Sequence, residues 1–380
     1  MGRENSIDPS MSPPADLPRL VGELAAQVLG TDRLAVDVDV DPRCQMLAHS
    51  LRHHDHPGAA WSQYYNVALQ QFSMLCQVRE RLAGRWPASP RVLDFACGYG
   101  RLTRLLVHAV PAERIWAAEI QPEAVSYLSR RFGVHGLVSP PGPEDFTPDR
   151  QFDLIWVASL FSHLPESLFR RWLKRLLTQL SSDGVLCFSV CDQAILPAGM
   201  HMPSDGLLFF QSSEIDSLDR EIYGATYVTE SFVRAAIADL AGADRPIWRI
   251  PRGLAHEQDL YIVAGDDSMS LPDLDDIDRG TWGWVDLRQR QPDGSIELAG
   301  WAASLDHGPA DEVMVSAAGQ VWRTGCNLIR PDVAESLGNP ALAPSGWSLT
   351  IAPAVHGPQE VIVCAKVGEY PPALLFSGEL

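Results

Sequence analysis

The chain has 380 residues, 46% of them hydrophobic and 21% charged, a globular balance in a chain too long for one ordinary core, so two domains are expected. A formal charge of −18 argues against a nucleic-acid partner, because neutralising phosphates takes clustered Lys and Arg; a neutral or cationic small molecule or a glycan hydroxyl fits better. Seven cysteines form no CxxC pair and give no disulfide framework, which suits a reducing compartment.

Residues 1–18 are rich in Pro, Ser and charge, lack the apolar stretch of a secretory signal, and read as a disordered tail. Gly2 and Ser6 match an acylation pattern, but the flanking charge is mixed and no polybasic patch supports anchoring. Helices are predicted over 17–29 and 60–84; in the second, Tyr64, Ala68, Phe72, Leu75 and Val78 recur at helical spacing. Tyr64 and Tyr65 suit core packing better than a lid. His49, His53, His54 and His56 have only Asp55 beside them as a further ligand, so no metal is expected.

From 91 onwards, strand-like runs at 91–95, 114–120, 136–138, 152–158 and 184–191 alternate with helical runs at 101–110, 122–132 and 166–181. Short apolar strands between amphipathic helices mean a parallel sheet buried on both faces. The longest largely apolar run, 154–161, is too short to span a bilayer, so no integral membrane segment and a cytoplasmic location are expected. A helix over 229–241, entered at Thr229, precedes strands near 247–251 and 259–264, close enough to form an antiparallel hairpin. Asp266, Asp267, Asp273, Asp275, Asp276 and Asp278 then mark a solvated acidic linker. Beyond it, runs at 282–288, 295–301, 312–315, 347–351 and 360–367 predict a small β-sandwich. The domain boundaries expected are 1–18 for the tail, 19–265 for the α/β domain with its N-terminal helices, 266–279 for the linker and 280–380 for the sandwich.

The segment that carries chemistry is VLDFACGYGR, residues 92–101. A buried strand runs into a loop without side-chain bulk, and a helix is predicted directly after it. Gly98 and Gly100 allow close approach of a ligand, and a helix N-terminus offers free N–H groups. The third glycine of a dinucleotide fingerprint would fall at 103, which is Thr103, so that fingerprint fails. Asp94 ends the strand, where it holds the loop or meets a ligand amino group. Glu119 closes the second strand, 25 residues later, where a carboxylate can bind both hydroxyls of a ribose.

At these residues the sequence resembles the class I S-adenosylmethionine-dependent methyltransferases over about 60–265. VLDFACGYGRLTR is similar to the family's first strand and loop, IWAAEIQPEAV to its second strand, FDLIWVASLFSHLP to its fourth and LSSDGVLCFSV to its fifth. One departure is Ala96, where the family usually has glycine; a tighter loop is expected there, not lost binding. The resemblance implies a Rossmann-like seven-stranded methyltransferase sheet with S-adenosylmethionine as cofactor. It implies that Asp94, Gly98 and Gly100 contact the methionine part, Glu119 the ribose, and Glu144 and Asp145 the adenine edge. Ala96, Cys97, Ile120 and Ser159 complete the implied cofactor set.

Ligands of open α/β sheets bind outside the carboxyl ends of the strands, so a general base should follow strand four, strand five or the late segment. His163 just beyond strand four is the first candidate, although it also suits a loop-shaping histidine at a helix start. Tyr223 and His256 are second candidates. Further along, LAGWA at 298–302, RPDVA at 330–334 and SGW at 345–347 resemble a β-sandwich module of bacterial surface-polysaccharide proteins. In it Trp301 and Trp347 suit buried anchors better than a sugar platform. The two resemblances together imply O-methylation of a glycan or glycolipid intermediate, a small-molecule or glycan acceptor, and glycan-biosynthesis proteins as partners. The alternative is a non-catalytic glycan-binding or scaffolding protein that retains the fold. A nicotinamide oxidoreductase is a remote third, opposed by Thr103 and the paired late strands.

Overall fold

The computed structural model describes residues 12–82, 84, 89–211, 221–271, 274, 276–352 and 357–380. The chain divides into two units, one of Met1–Ser73 with Asp278–Leu380 and one of Met74–Ile277. Three helices open it: α1 (Leu17–Val28), α2 (Gln45–His53) and α3 (Pro57–Leu82). Proline at the first turn of α1 and α3 lacks only an N–H that has no helical partner there, which is why α3 starts earlier than its apolar spacing predicts. Among the described residues no helix is long and apolar enough to cross a membrane.

The unit Met74–Ile277 holds β1 (Val92–Phe95), α4 (Thr103–Leu106), β2 (Ile115–Glu119), α5 (Pro122–Phe132), β3 (His135–Val138), β4 (Phe152–Val157), α6 (Glu166–Thr178) and β5 (Leu180–Asp192). It continues with β6 (Leu207–Phe210), β7 (Ala225–Val228), α7 (Glu230–Ala241), β8 (Ile247–Leu254) and β9 (Gln258–Ala264). Strands β3, β2, β1, β4 and β5 lie side by side and parallel, and β9 and β8 extend the sheet antiparallel beyond β5. Every residue of β1, β2 and β4 is buried, as parallel strands covered on both faces require. Leu93, Phe95, Ile155, Phe161, Phe169, Phe188 and Phe232 form the heart of the core.

Three expectations are corrected in this unit. Among the described residues the sheet has nine strands where seven are predicted: Cys191 and Asp192 at the end of β5 pair with Tyr227 and Val228 of β7, and β6 pairs with β7. The helix predicted over 101–110 has one regular α-turn, Thr103–Leu106, with looser turns around it until Pro111. The predicted acidic linker is not solvated throughout. Met269, Leu274 and Ile277 are buried, and Arg81 donates to the carbonyl of Asp276 at 2.8 Å. Asp273 and Asp275 of that segment lie outside the described residues.

The other unit contains β10 (Thr281–Arg290), β11 (Ile296–Ser304), β12 (Gly308–Pro309), β13 (Glu312–Ala317), β14 (Gln320–Thr324), α8 (Pro331–Ser336), β15 (Gly346–Ile351), β16 (Glu360–Lys366) and β17 (Ala373–Glu379). Among the described residues they make two antiparallel sheets of four strands: β10, β11 and β12 with β15 also on β11, and β14, β13, β16 and β17 in order. One core draws on both, through Val285, Ile296 and Leu298 from the first and Val313, Val315 and Val363 from the second. Trp347 is buried in that core, while Trp301 is half-buried opposite Trp284.

Residues 12–73 group with these sheets, where the sequence reading joins them to the α/β domain. Ala59 belongs to the same core, and the backbone N–H of Ser377 donates to Ser62 Oγ at 2.7 Å. A Cβ on Gly58 would stand 2.5 Å from the carbonyl oxygen of Ser377, so only glycine permits this approach. The Nε2–H of His56 donates to the Glu379 carbonyl at 3.0 Å. Tyr64 and Tyr65 are buried, with Tyr65 Oη donating to the Val38 carbonyl at 2.7 Å, which makes them core residues.

Candidate functional site

The loop after β1 turns on three left-handed residues: Ala96 at φ 56°, Gly98 at φ 56° and Gly100 at φ 77°. The two glycines meet different surroundings. A Cβ on Gly98 would meet nothing within 4 Å, whereas one on Gly100 would stand 2.4 Å from Leu128 Cδ2 of α5. Gly98 therefore leaves open space above the loop, and Gly100 lets the loop pack against the neighbouring helix. The left-handed cost at Ala96, about 1 kcal/mol, is held in place by its surroundings.

Hydrogen bonds fix this loop from both sides. Thr103 Oγ1 donates to Asp94 Oδ2 at 2.7 Å, so the residue that breaks the glycine fingerprint is the partner of the buried carboxyl. Burial pushes Asp94 up to about 7; the Thr103 hydroxyl opposes the shift and neighbouring Glu119 adds to it. The N–H of Gly98 donates to Glu119 Oε2 at 2.9 Å, and the N–H of Ile120 to Oε1 at 2.8 Å. Burial raises Glu119 as well, while these backbone donors pull it down. The Cys97 thiol lies 3.4 Å from the carbonyl of Ala118 and is pushed well above its ordinary range, first by burial and then by the two carboxyls.

The sequence reading missed Arg104. It is fully buried, its Nε donates to the Gly100 carbonyl at 3.0 Å and its Nη2 to the Tyr99 carbonyl at 3.2 Å, and its guanidinium lies 5.5 Å from the centre of the Phe132 ring. The signal was a second arginine, three residues after Arg101, in the mostly apolar stretch LTRLLV. With a single α-turn behind the loop, the helix dipole argued from sequence is weak. Side-chain and backbone hydrogen bonds do the positioning.

Beyond Glu119, Ile120 and Val138 keep 38% and 54% of their surface exposed, an apolar rim at the carboxyl ends of β2 and β3. The Glu144–Asp145 pair divides. Glu144 accepts two hydrogen bonds from the Arg171 guanidinium of α6, which hold its exposed carboxyl down at about 2. It is committed to that helix and not joined to the Gly98–Glu119 cluster, while Asp145 is exposed beside it.

After β4 a second cluster forms. Ser159, at φ 59°, donates from its backbone N–H to Ser189 Oγ at 2.8 Å. His163 and Tyr223 are brought together: their rings stack 4.6 Å apart at 15°. His163 Nδ1 lies 2.7 Å from the carbonyl of Gly224, so Nδ1 carries the proton and the neutral ring has its lone pair on Nε2. The N–H of Gly224 donates back to the His163 carbonyl at 2.8 Å. His256 is buried in the β8–β9 turn at φ 57°, and its carbonyl accepts from Arg252. Arg249, also missed from sequence, joins Asp192 at 3.1 Å, Asp259 at 2.6 Å and Glu230, tying the end of β5 and the start of β9 to the start of α7.

This arrangement fits a nucleoside cofactor: open space over Gly98, a carboxylate anchored at its edge by three backbone N–H groups with acceptor capacity left on Oε2, and exposed apolar side chains next to it. Among the described residues no group of three or more His, Cys, Asp or Glu side chains could hold a metal ion.

The family model described as a methyltransferase domain matches residues 67–227. The malonyl-[acyl-carrier protein] O-methyltransferase of Acetivibrio thermocellus is 31% identical over 99 residues, covering 26% of this chain and 34% of that protein. The chain thus spans about a third of the length of this curated relative. Among solved structures, an S-adenosylmethionine-dependent methyltransferase from Clostridium acetobutylicum is 15% identical with a TM-score of 0.37, covering 51% of this chain and 90% of that one. The glycopeptide N-methyltransferase MtfA with S-adenosylhomocysteine is 15% identical with a TM-score of 0.35, covering 49% and 85%. Residues 67–227, the segment from α3 to β7, are thus similar to methyltransferase domains.

Proposed function

We propose that the chain is an O-methyltransferase acting on a glycan or glycolipid intermediate of cell-surface polysaccharide biosynthesis in the cytoplasm, with glycan-biosynthesis proteins as its partners. The observation that carries the methyl-transfer reading is the Glu119 carboxylate bonded to the Gly98 N–H beneath open space. When bound, S-adenosylmethionine supplies an electrophilic methyl group. In this reading Glu119 accepts from the ribose hydroxyls, Ile120 lies against the adenine, and the backbone of Ala96, Cys97 and Gly98 faces the methionine part. Asp94, through Thr103, holds that backbone, and Gly100 packs it on α5. Glu144 belongs to Arg171, which leaves Asp145 for the adenine edge and Ser159 for the rim after β4.

His163 takes the proton of the acceptor hydroxyl on Nε2, with Nδ1 fixed by Gly224 and the ring by Tyr223. His256, buried in its turn, has a structural part. Oxygen as the methylated atom is supported by the relative, whose name gives an O-methyltransferase. The glycan rests on the motifs of the C-terminal segment and on its two antiparallel sheets, which we read as a β-sandwich.

The test is turnover with methyl-labelled S-adenosylmethionine on GDP-mannose, dTDP-rhamnose, UDP-N-acetylglucosamine and lipid-linked glycans, read by mass spectrometry as a gain of one methyl. One of these should gain it, and labelled product from none of them speaks against the glycan reading. With the active acceptor, His163→Ala should lower turnover by about a hundredfold or more while S-adenosylhomocysteine affinity holds. Unchanged turnover removes His163 as the base.

A further inference from the structure

At the carboxyl edge of the sheet, one side-chain amide is locked in a single orientation by bonds that the steps above leave unused. Ser189 is fully buried, and its Oγ accepts from the N–H of Ser159 at 2.8 Å. A backbone N–H is always the donor, so the one hydroxyl proton of Ser189 has to be given to another atom. It goes to Gln258 Oε1 at 2.7 Å, and Ser159 Oγ donates to the same oxygen at 3.3 Å. Two donors on the oxygen turn the amide nitrogen, Nε2, away from both serines. Gln258 is half-buried, its Nε2 is not sealed from solvent, and among the described residues no protein group accepts its protons.

The position of this donor is informative. Gln258 opens β9, whose pairing of Asp259 with Val190 sets it beside the end of β5, and Ser159 follows β4. Ligands of open α/β sheets bind at that edge. The charged groups of the same edge are mostly acidic: Glu119 on β2, and Asp192, Glu230 and Asp259 around the guanidinium of Arg249, with Arg252 of β8 as a second cation whose backbone N–H donates to Asp259 at 2.8 Å. An anionic group docking on the Gln258 amide would meet that field, whereas an uncharged oxygen would not.

We infer that Gln258 orients the acceptor, its amide donating to an uncharged oxygen (hydroxyl, ring or carbonyl) next to the atom that receives the methyl. The inference rests on the methyl-transfer reading above and adds the class of group recognised. A donor aimed at the neighbouring oxygen leaves the lone pair of the reacting oxygen available.

The experiment titrates the full-length, ¹⁵N-labelled protein in the presence of S-adenosylhomocysteine with two probes, methyl α-D-glucopyranoside and sodium hydrogen malonate. The Gln258 amide pair is identified by its loss in Gln258→Glu, or through bonds from the backbone if that variant does not fold. The pair should move with the glycoside and stay still with malonate. In Gln258→Met the glycoside should bind about fivefold more weakly, the worth of one uncharged hydrogen bond. A pair that ignores the glycoside, or one that moves with malonate, overturns the assignment, and the wild-type titration decides this even if neither variant folds. Absence of calorimetric binding of S-adenosylhomocysteine defeats the methyl-transfer reading itself. Binding with an unmoved Gln258 defeats this inference alone.

Discussion

Gly98 and Gly100 share a left-handed backbone and differ in what lies over them, and that difference separates binding from stability. Alanine at Gly98 adds a methyl group to open space at φ 56°, costing about 1–2 kcal/mol of folding energy, and should weaken S-adenosylhomocysteine binding far more than that. Alanine at Gly100 adds a clash with Leu128 to similar strain, for about 2–5 kcal/mol in all. Urea unfolding and calorimetry on both variants check the split; equal effects on stability would contradict it. Asp94 makes a pH prediction. Its folded pKa of about 7 lies above the ordinary 3.8, so between these values the folded state holds more protons than the unfolded one. Its contribution favours folding at low pH and is lost as pH rises through about 7. Asp94→Asn should flatten that part of the thermal-midpoint profile between pH 5 and pH 8, and an unaltered profile would refute the assignment.

At the scale of elements, the parallel strands were legible because burial on both faces leaves continuous apolar runs such as LIWV in β4. Asp94, Gly98 and Glu119 were legible because their types and spacing are unusual at strand ends. The partners that hold them were not. Thr103 and Arg104 look like ordinary helix residues until the loop is folded over them. The short pair β6–β7 escaped notice because four-residue strands have too few positions to show a period. The segment 266–278 misled through its charge: six aspartates hid the spacing of Met269, Leu274 and Ile277, whose side chains are buried. Leu274→Ala should accordingly cost about 2–3 kcal/mol in denaturant unfolding, near the low end for a buried leucine. A true solvated linker would show almost nothing.

At the scale of the whole molecule, the two ends of the chain build one unit and the middle builds the other. Helical periodicity announced that α1 and α3 have a buried face; it held no information on which sheet would cover it. The pairing of Ser62 with Ser377 and the close approach at Gly58 join positions more than 300 residues apart, a kind of contact no local pattern encodes. The acceptor reading depends on the middle unit, where every group assigned to the cofactor lies between Asp94 and Ser159.

Isothermal calorimetry of S-adenosylhomocysteine on the wild-type protein and on Glu119→Ala decides whether the loop after β1 holds a sulfonium nucleoside through Glu119. Micromolar binding to the wild type is expected, with at least about a tenfold loss in the variant, the worth of a charge-assisted hydrogen bond to the ribose. No heat of binding to the wild type, or equal affinity in both proteins, would contradict that reading.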